Sequence, residues 1–292
     1  MTGGDRLTRP GSTDHVEVDL GFGAGLTDRG RSHRRNEDAL HLEAIEGIGV
    51  IAVVCDGVSL SQAPDVAARA AAGTAGATLA AGLRRGGMAP AELAQDAVRA
   101  AQRAVADTAH STGGELGPPS CTLVLGVYVD GEVAVSWVGD SRAYWVSGGV
   151  AVQLTSDNSW AWEQIQSGRM TEDETRGHPR SQQITAWLGA DAPDLDAQIV
   201  TFRPHGTGRL VLCSDGLWGW LPSPDELARL VGSPPREPDL LAQARRLVAL
   251  ALAAGGHDDI TVVLVDVGAG GPGDAPARPN DTNASLRGRA ER

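Results

Sequence analysis

The sequence predicts an α+β fold in which antiparallel β-sheets are covered by helices, and three observations predict it. Short apolar runs rich in Val, Ile and Leu recur along the chain, and two of them are joined by Asp130-Gly131, a favoured two-residue hairpin turn. Two Ala-rich helical segments follow one another, each opened by a proline where a first helical residue belongs. No Gly-rich strand-to-helix turn opens a series of βαβ repeats, which argues against a doubly wound nucleotide-binding sheet. Hairpins together with paired helices imply layers, with sheets inside and helices outside.

Strands are expected at Val16–Leu26, Ala39–Ala44, Val50–Cys55, Cys121–Val129, Glu132–Val138, Ala143–Val146 and Val150–Leu154. Later ones are expected at Leu195–Phe202, Arg209–Cys213 and Ile260–Val267. Helices are expected from Pro64 to about Arg84, from Pro90 to about Ala109 and over Pro238–Ala254. The last places Leu240, Leu241, Ala244, Leu247, Val248 and Leu252 on one face and stops at Gly255-Gly256. "GFGAG" from Gly21 resembles a phosphate loop, but extended sequence rather than a helix follows it. Residues 1–14 read as a loose polar tail, and residues 268–292, rich in Pro, Gly and Ala without periodicity, as a disordered one. No linker divides what lies between, so residues 15–267 form one folded unit.

A net charge of -12 opposes nonspecific binding to nucleic acid or an anionic membrane, since both repel such a surface. No run approaches the ~20 apolar residues that span a bilayer, and the first residues lack the apolar core of a signal peptide. Cys55, Cys121 and Cys213 lie far apart in apolar strands and form no C-x-x-C pair, so buried, reduced thiols and a cytoplasmic protein are expected.

Acidic residues recur at expected strand boundaries: Glu37 and Asp38 in "RRNEDAL", Asp56 in "VVCDGV", Asp140 in "WVGDSRAYWV", Asp215 in "VLCSDGLW", and Asp258 and Asp259 in "GGHDDITVV". Singly, each has a plain explanation, because Asp-Gly makes turns and Asp terminates strands. If the five boundaries converge, two charges about 5 Å apart repel by roughly 3 kcal/mol at an effective dielectric near 20. Four or more such charges cost on the order of 10 kcal/mol, as much as a domain's whole stability. Either the acids protonate or cations neutralise them, and oxygen-only donors select hard ions, Mg²⁺ or Mn²⁺. No His or Cys sits at zinc-ligand spacing near these acids except His257, which argues against zinc. Gly57 lets the chain turn tightly after Asp56 and offers its carbonyl. Two cations sharing one carboxylate can activate a water against a phosphoryl group without a covalent intermediate.

The order of "TDRGRSHRRNEDAL", "DG" at Asp56, "GDSRAYWV", "LTSDNS", "LVLCSDGLW" and "HDDITVVLVDV" resembles the metal-dependent protein phosphatases of type 2C in their bacterial form. The resemblance covers nearly the whole folded unit. It implies a four-layer αββα sandwich, two antiparallel sheets flanked by helix pairs, with the metals at one end. It implies a phosphoprotein phosphatase using two Mn²⁺ or Mg²⁺ ions and a third, weaker one, acting on phosphoserine and phosphothreonine in substrates of Ser/Thr kinases; a monomer is expected. By position, Asp56 bridges both metals, Asp215 and Asp258 complete the first, and Glu37 with the Gly57 carbonyl serves the second. Asp38 contributes through water, Asp140 matches the acid of the third metal, and Asp259, where Asn is usual, stands behind the ligands. The Arg that usually grips the substrate phosphate is replaced by His33, so His33, Arg31 and Arg34 are the candidates for that task. Val58 occupies the place of a histidine proposed as general acid in eukaryotic members, which leaves that proton to water. Asn158 replaces the usual His of "LTxDHS". Residues 160–188, with Trp160, Trp162 and Trp187, match the flap beside the metals, and the three tryptophans are expected to be buried. The altered loop after Gly57 and the missing Arg also suit an alternative, a catalytically silent adaptor that binds phosphoproteins.

Overall fold

Strand alternation sorts the chain into two stacked antiparallel sheets. The computed structural model describes residues 14–111, 115–193, 197–221, 223–232 and 239–268. One sheet runs β1 (His15–Asp19), β2 (Gly23–Asp28), β13 (Ile260–Val267), β12 (Gly208–Cys213), β8 (Arg142–Ser147), β9 (Val150–Gln153). The other runs β11 (Gln198–Phe202), β7 (Glu132–Val138), β6 (Leu123–Val129), β4 (Gly49–Cys55), β3 (Ala39–Ile45). A two-stranded piece, β5 (Ser120–Cys121) with β10 (Leu188–Gly189), lies apart from both.

On β4, Ile51, Val53 and Cys55 point outward into a core shared with α1 (Pro64–Arg85) and α2 (Pro90–Ala106). Ala52 and Val54 point the other way and meet Leu210 and Leu212 of β12 across the sandwich. On β12, Val211 and Cys213 face a third core built with α6 (Pro224–Val231) and α7 (Leu240–Ala254). Period-two alternation over strands buried on both faces therefore produces the expected four layers, helix–sheet–sheet–helix. Buried Ala67, Ala68, Ala71, Ala72 and Ala75 carry small side chains into the helix–sheet contact of α1. Arg209, fully buried on β12, donates to both carboxylate oxygens of Asp266 (2.6 and 3.1 Å), to the Val231 carbonyl (2.7 Å) and to Gln243, so it joins α6 and α7 to the sheet.

The Asp130-Gly131 turn is as expected, with φ of 52° and 76°. The single strand expected at Val16–Leu26 is instead a hairpin, β1 turning into β2 at Gly21 (φ 80°), with Leu20 N donating to the Gly23 carbonyl at 2.8 Å. "GFGAG" is that turn. The expected flap contains two short helices, α3 (Trp160–Gln166) and α4 (Glu172–Arg176), and of its tryptophans only Trp160 is buried. Two further helices went unread: α5 (Asp215–Trp218) and α6, whose Ser223 caps Glu226 N ahead of Pro224. Leu195 of one expected strand and Pro238 of one expected helix lie outside the described residues, as do residues 1–13 and 269–292. Asp14, placed in the tail from sequence, is bound into the fold: its carbonyl accepts from Arg29 N (2.7 Å) and its Oδ1 from Asn36 N (3.1 Å).

Candidate metal centre

The acidic strand ends meet at one end of the sandwich. Asp56 follows β4, Asp140 lies in the β7–β8 turn, Asp215 opens α5 after β12, and Asp258 precedes β13. Asp56, Gly57, Asp140, Asp215 and Asp258 line one cavity of about 580 Å³, together with Thr122, Trp218 and Trp220. Antiparallel pairing enforces this convergence: β12 pairs with both β8 and β13, so the end of one strand and the starts of two neighbours share an edge.

Asp56, Asp140 and Asp38 are fixed from behind. Asp56 N donates to Thr122 Oγ1 (3.2 Å), Thr122 N donates to the Asp56 carbonyl (2.7 Å), and the Thr122 hydroxyl bonds Ser141 Oγ (2.8 Å) beside Asp140. The indole of Trp218 donates to the Asp140 carbonyl (2.9 Å), and the Arg142 guanidinium stacks 3.5 Å from the Trp218 ring while Asp157 binds it through both oxygens. Buried Asp38 accepts from Ser214 Oγ (2.8 Å) and Thr261 Oγ1 (2.6 Å) on one oxygen. Glycine is required by close approach here. A Cβ on Gly30 would lie 1.9 Å from the Asp258 carbonyl, one on Gly216 1.9 Å from the Asp259 carbonyl, and one on Gly57 2.7 Å from the Glu37 carbonyl. At Gly57, where a tight turn was expected, this crowding is what excludes a side chain.

The electrostatics match the crowding. Burial, then the charges of Asp38, Asp215, Asp258 and Asp140, hold the Asp56 carboxyl well above the usual carboxylate range. Burial and Asp258 push Asp215 up to about 6, although a hydrogen bond shared with Asp56 pulls the other way. Asp38 and Asp140 are raised by burial and then by Asp259 and Asp215 respectively, and burial also raises Asp258 and Glu37. Asp215 Oδ1 is buried without any hydrogen-bond partner. A group of raised, oxygen-only donors with one acceptor unsatisfied is the environment a divalent cation completes.

On the cavity wall, Ser59 Oγ donates to Glu37 Oε2 (2.9 Å) and lies 3.4 Å from His33 Nε2. Asp259, 1% exposed, accepts from Gly30 N (3.0 Å) on Oδ1, and from Glu37 N (2.7 Å) and His33 Nδ1 (3.0 Å) on Oδ2. Burial alone favours a neutral His33 ring, but the Asp259 hydrogen bond and the charges of Asp259, Asp258 and Glu37 override it and raise the imidazole above its usual range. Arg31 and Arg34 are exposed, and neither lines the cavity; Arg31 is tied by its amide to the Gly256 carbonyl (2.8 Å), next to His257 and Asp258. Asn158 holds the flap's base to the Asp140 turn, its N donating to the Gly139 carbonyl and its Oδ1 accepting from Gly139 N, both at 2.9 Å. Ser59, Thr122, Ser141, Ser214 and Thr261 escaped sequence reading because a hydroxyl near an acid in sequence carries no sign of which distant carboxylate it will meet.

Fold and site together define a two-sheet sandwich protein with a buried carboxylate centre at one end. The model of the protein phosphatase 2C family matches residues 29–244, and the chain belongs to that family. Serine/threonine phosphatase stp of Listeria monocytogenes is 33% identical over 146 residues, which cover 50% of this chain and 56% of that protein. The chain thus spans about half the length of the curated relatives it matches. The crystal structure of the Mycobacterium tuberculosis serine/threonine phosphatase PstP/Ppp aligns with a TM-score of 0.72 at 26% identity, over 84% of this chain and 98% of that one. The PPM Ser-Thr phosphatase MsPP from Mycobacterium smegmatis, solved in complex with cacodylate, aligns with a TM-score of 0.67 at 28% identity, over 84% and 98%.

Proposed function

We propose that the protein is a metal-dependent phosphatase that hydrolyses phosphoserine and phosphothreonine in proteins, by direct attack of water. The observation that carries this reading is the meeting of Asp56, Asp215 and Asp258, from three distant segments, around a buried carboxylate oxygen that nothing satisfies. Family membership and the names of the relatives support the reaction class. Two divalent cations, Mn²⁺ or Mg²⁺, would both draw on Asp56; Asp215 and Asp258 would hold the first, Glu37 and the Gly57 carbonyl the second, and Asp140 a third, weaker one. When bound, these ions supply Lewis acidity and a nucleophilic water at neutral pH. The chain's own residues do the rest. Thr122 fixes the Asp56 backbone and bonds Ser141 beside Asp140, Trp218 fixes the Asp140 carbonyl, Ser214 and Thr261 fix Asp38, and Trp218 and Trp220 line the cavity. Arg31, whose amide is tied to the Gly256 carbonyl two residues before Asp258, is a candidate for reaching a substrate phosphate, alongside His33 and Arg34.

Hydrolysis of p-nitrophenyl phosphate and of a phosphothreonine peptide with Mn²⁺, with and without EDTA, tests this reading. Activity is expected only with the metal and is expected to vanish in Asp215→Asn. Activity that survives EDTA contradicts the reading, and complete inactivity of a Mn²⁺-loaded protein favours a phosphoprotein-binding adaptor instead.

A further inference from the structure

The three loops that carry Asp56, Asp215 and Asp258 into the cavity each bring a bulky apolar or aromatic side chain with them. Leu60 stands shortly after Gly57, Trp220 shortly after Asp215 and His257 directly before Asp258, and all three line the same cavity as the acids. Leu60 sits in a turn closed by Ser61 N on the Val58 carbonyl (2.8 Å), and it is 80% exposed. An exposed leucine alone is ordinary. Trp220, however, is also 37% exposed, and its indole is held in place: its amide donates to the Leu217 carbonyl (3.2 Å), and its ring lies 5.7 Å from that of His257. Gly255, at a φ of 149°, makes room for it, since a Cβ there would stand 2.7 Å from the indole. Half-buried Ile184 of the flap completes this rim. Bulky apolar groups gathered at the mouth of a cavity mark a binding surface. At about 580 Å³ the cavity has the size that takes a drug-sized ligand, more than one phosphothreonine side chain fills.

Resting on the phosphatase reading, we infer that Trp220, His257 and Leu60 form a specificity subsite that takes an aromatic side chain next to the phosphorylated residue of a substrate peptide. Each lies within a few residues of an acid of the centre, so a phosphate held there sets the neighbouring peptide residue against this rim. The indole is already positioned by Gly255 and His257, so binding costs little further side-chain ordering. An aromatic ring gains from offset or edge contacts with Trp220 and His257 beyond the area it buries. A cationic side chain finds only the indole face, because the side chains of Leu60 and Ile184 offer it no acceptor.

Fluorescence anisotropy of dye-tagged peptides on the Mn²⁺-loaded full chain reads this subsite. The phosphothreonine is replaced by its non-hydrolysable phosphonate and flanked on both sides by Phe, Ala or Arg. The Phe-flanked peptide is expected to bind about tenfold tighter than the Ala-flanked one, as partial burial of an aromatic ring yields. That ratio is expected to fall to about threefold or less in Trp220→Ala and in Leu60→Ser. It is expected to persist in Leu250→Ser, which alters an exposed leucine of α7 outside the cavity. Equal affinity for the Phe and Ala peptides overturns the inference, as does tightest binding of the Arg peptide, failure of all three to bind, or a ratio that neither Trp220→Ala nor Leu60→Ser lowers. The phosphatase reading is decided apart from this, by Mn²⁺-dependent hydrolysis of p-nitrophenyl phosphate, which carries no flanking residue.

Discussion

Asp215 carries the clearest single-residue consequence. Its carboxyl titrates at about 6 in the folded chain, against an ordinary 3.8, because it is buried beside Asp258. The folded metal-free protein therefore takes up this proton before the unfolded chain does. Its contribution to stability is complete below about pH 4 and is lost as pH rises through about 6. In EDTA the melting temperature is expected to be higher near pH 5 than near pH 7.5, and thermal scans of Asp215→Asn are expected to show this difference reduced, with a melting point a few degrees higher near pH 7.5. A metal-free Asp215→Asn that melts lower near pH 7.5 contradicts the picture of a buried, uncompensated charge. Gly30 and Gly216 give a second prediction. A Cβ at either overlaps a carbonyl of the Asp258-Asp259 loop at 1.9 Å, so Gly→Ala at each is expected to cost about 2 kcal/mol or more in urea unfolding and to depress Mn²⁺ binding with it. Wild-type midpoints for both variants would show that the loop gives way freely. At this scale the acids themselves were legible in sequence, since each follows or precedes an apolar strand. The His33–Asp259 bond was not: the two residues are 226 apart, and nothing in the sequence pairs them.

Among the elements, the longer strands, α1, α2 and most of α7 were readable because periodic patterns determine them, whereas β10, two residues long, was not. The β1–β2 hairpin was missed because its turn, "LGFG", interrupts the apolar run by only a few residues. The helices α3, α4 and α5 are four to seven residues long, too short for a periodic face, and are held by caps and tertiary contacts instead. The α6–α7 layer hangs on Arg209, whose guanidinium is wholly buried and whose partners lie on both helices and on β13. Arg209→Ala strands those partners. It is expected to lower unfolding stability by roughly 2–4 kcal/mol, measurable in urea, since removing one member of a buried ion pair leaves the other uncompensated. A loss below 0.5 kcal/mol or so would mean that water replaces the arginine without penalty.

For the molecule as a whole, the antiparallel sandwich explains why residues distant in sequence build one centre: pairing of β12 with β8 and β13, stacked against β4, brings four chain segments to one edge. Their combined charge belongs to a chain of net charge -12. Electrostatic repulsion should slow encounter with acidic phosphopeptides and favour those with basic flanks. Added salt between about 0.05 and 0.5 M is accordingly expected to raise kcat/KM for acidic peptides and lower it for basic ones. Identical salt responses for both would show that the cavity's local field, rather than the overall charge, governs approach. The most direct test of the central claim is the number of Mn²⁺ ions bound per chain, counted by equilibrium dialysis with electron paramagnetic resonance. Two strongly held, magnetically coupled ions are expected, with the first of them and the coupling lost in Asp215→Asn; binding that is absent, or undiminished by that substitution, contradicts the metal centre.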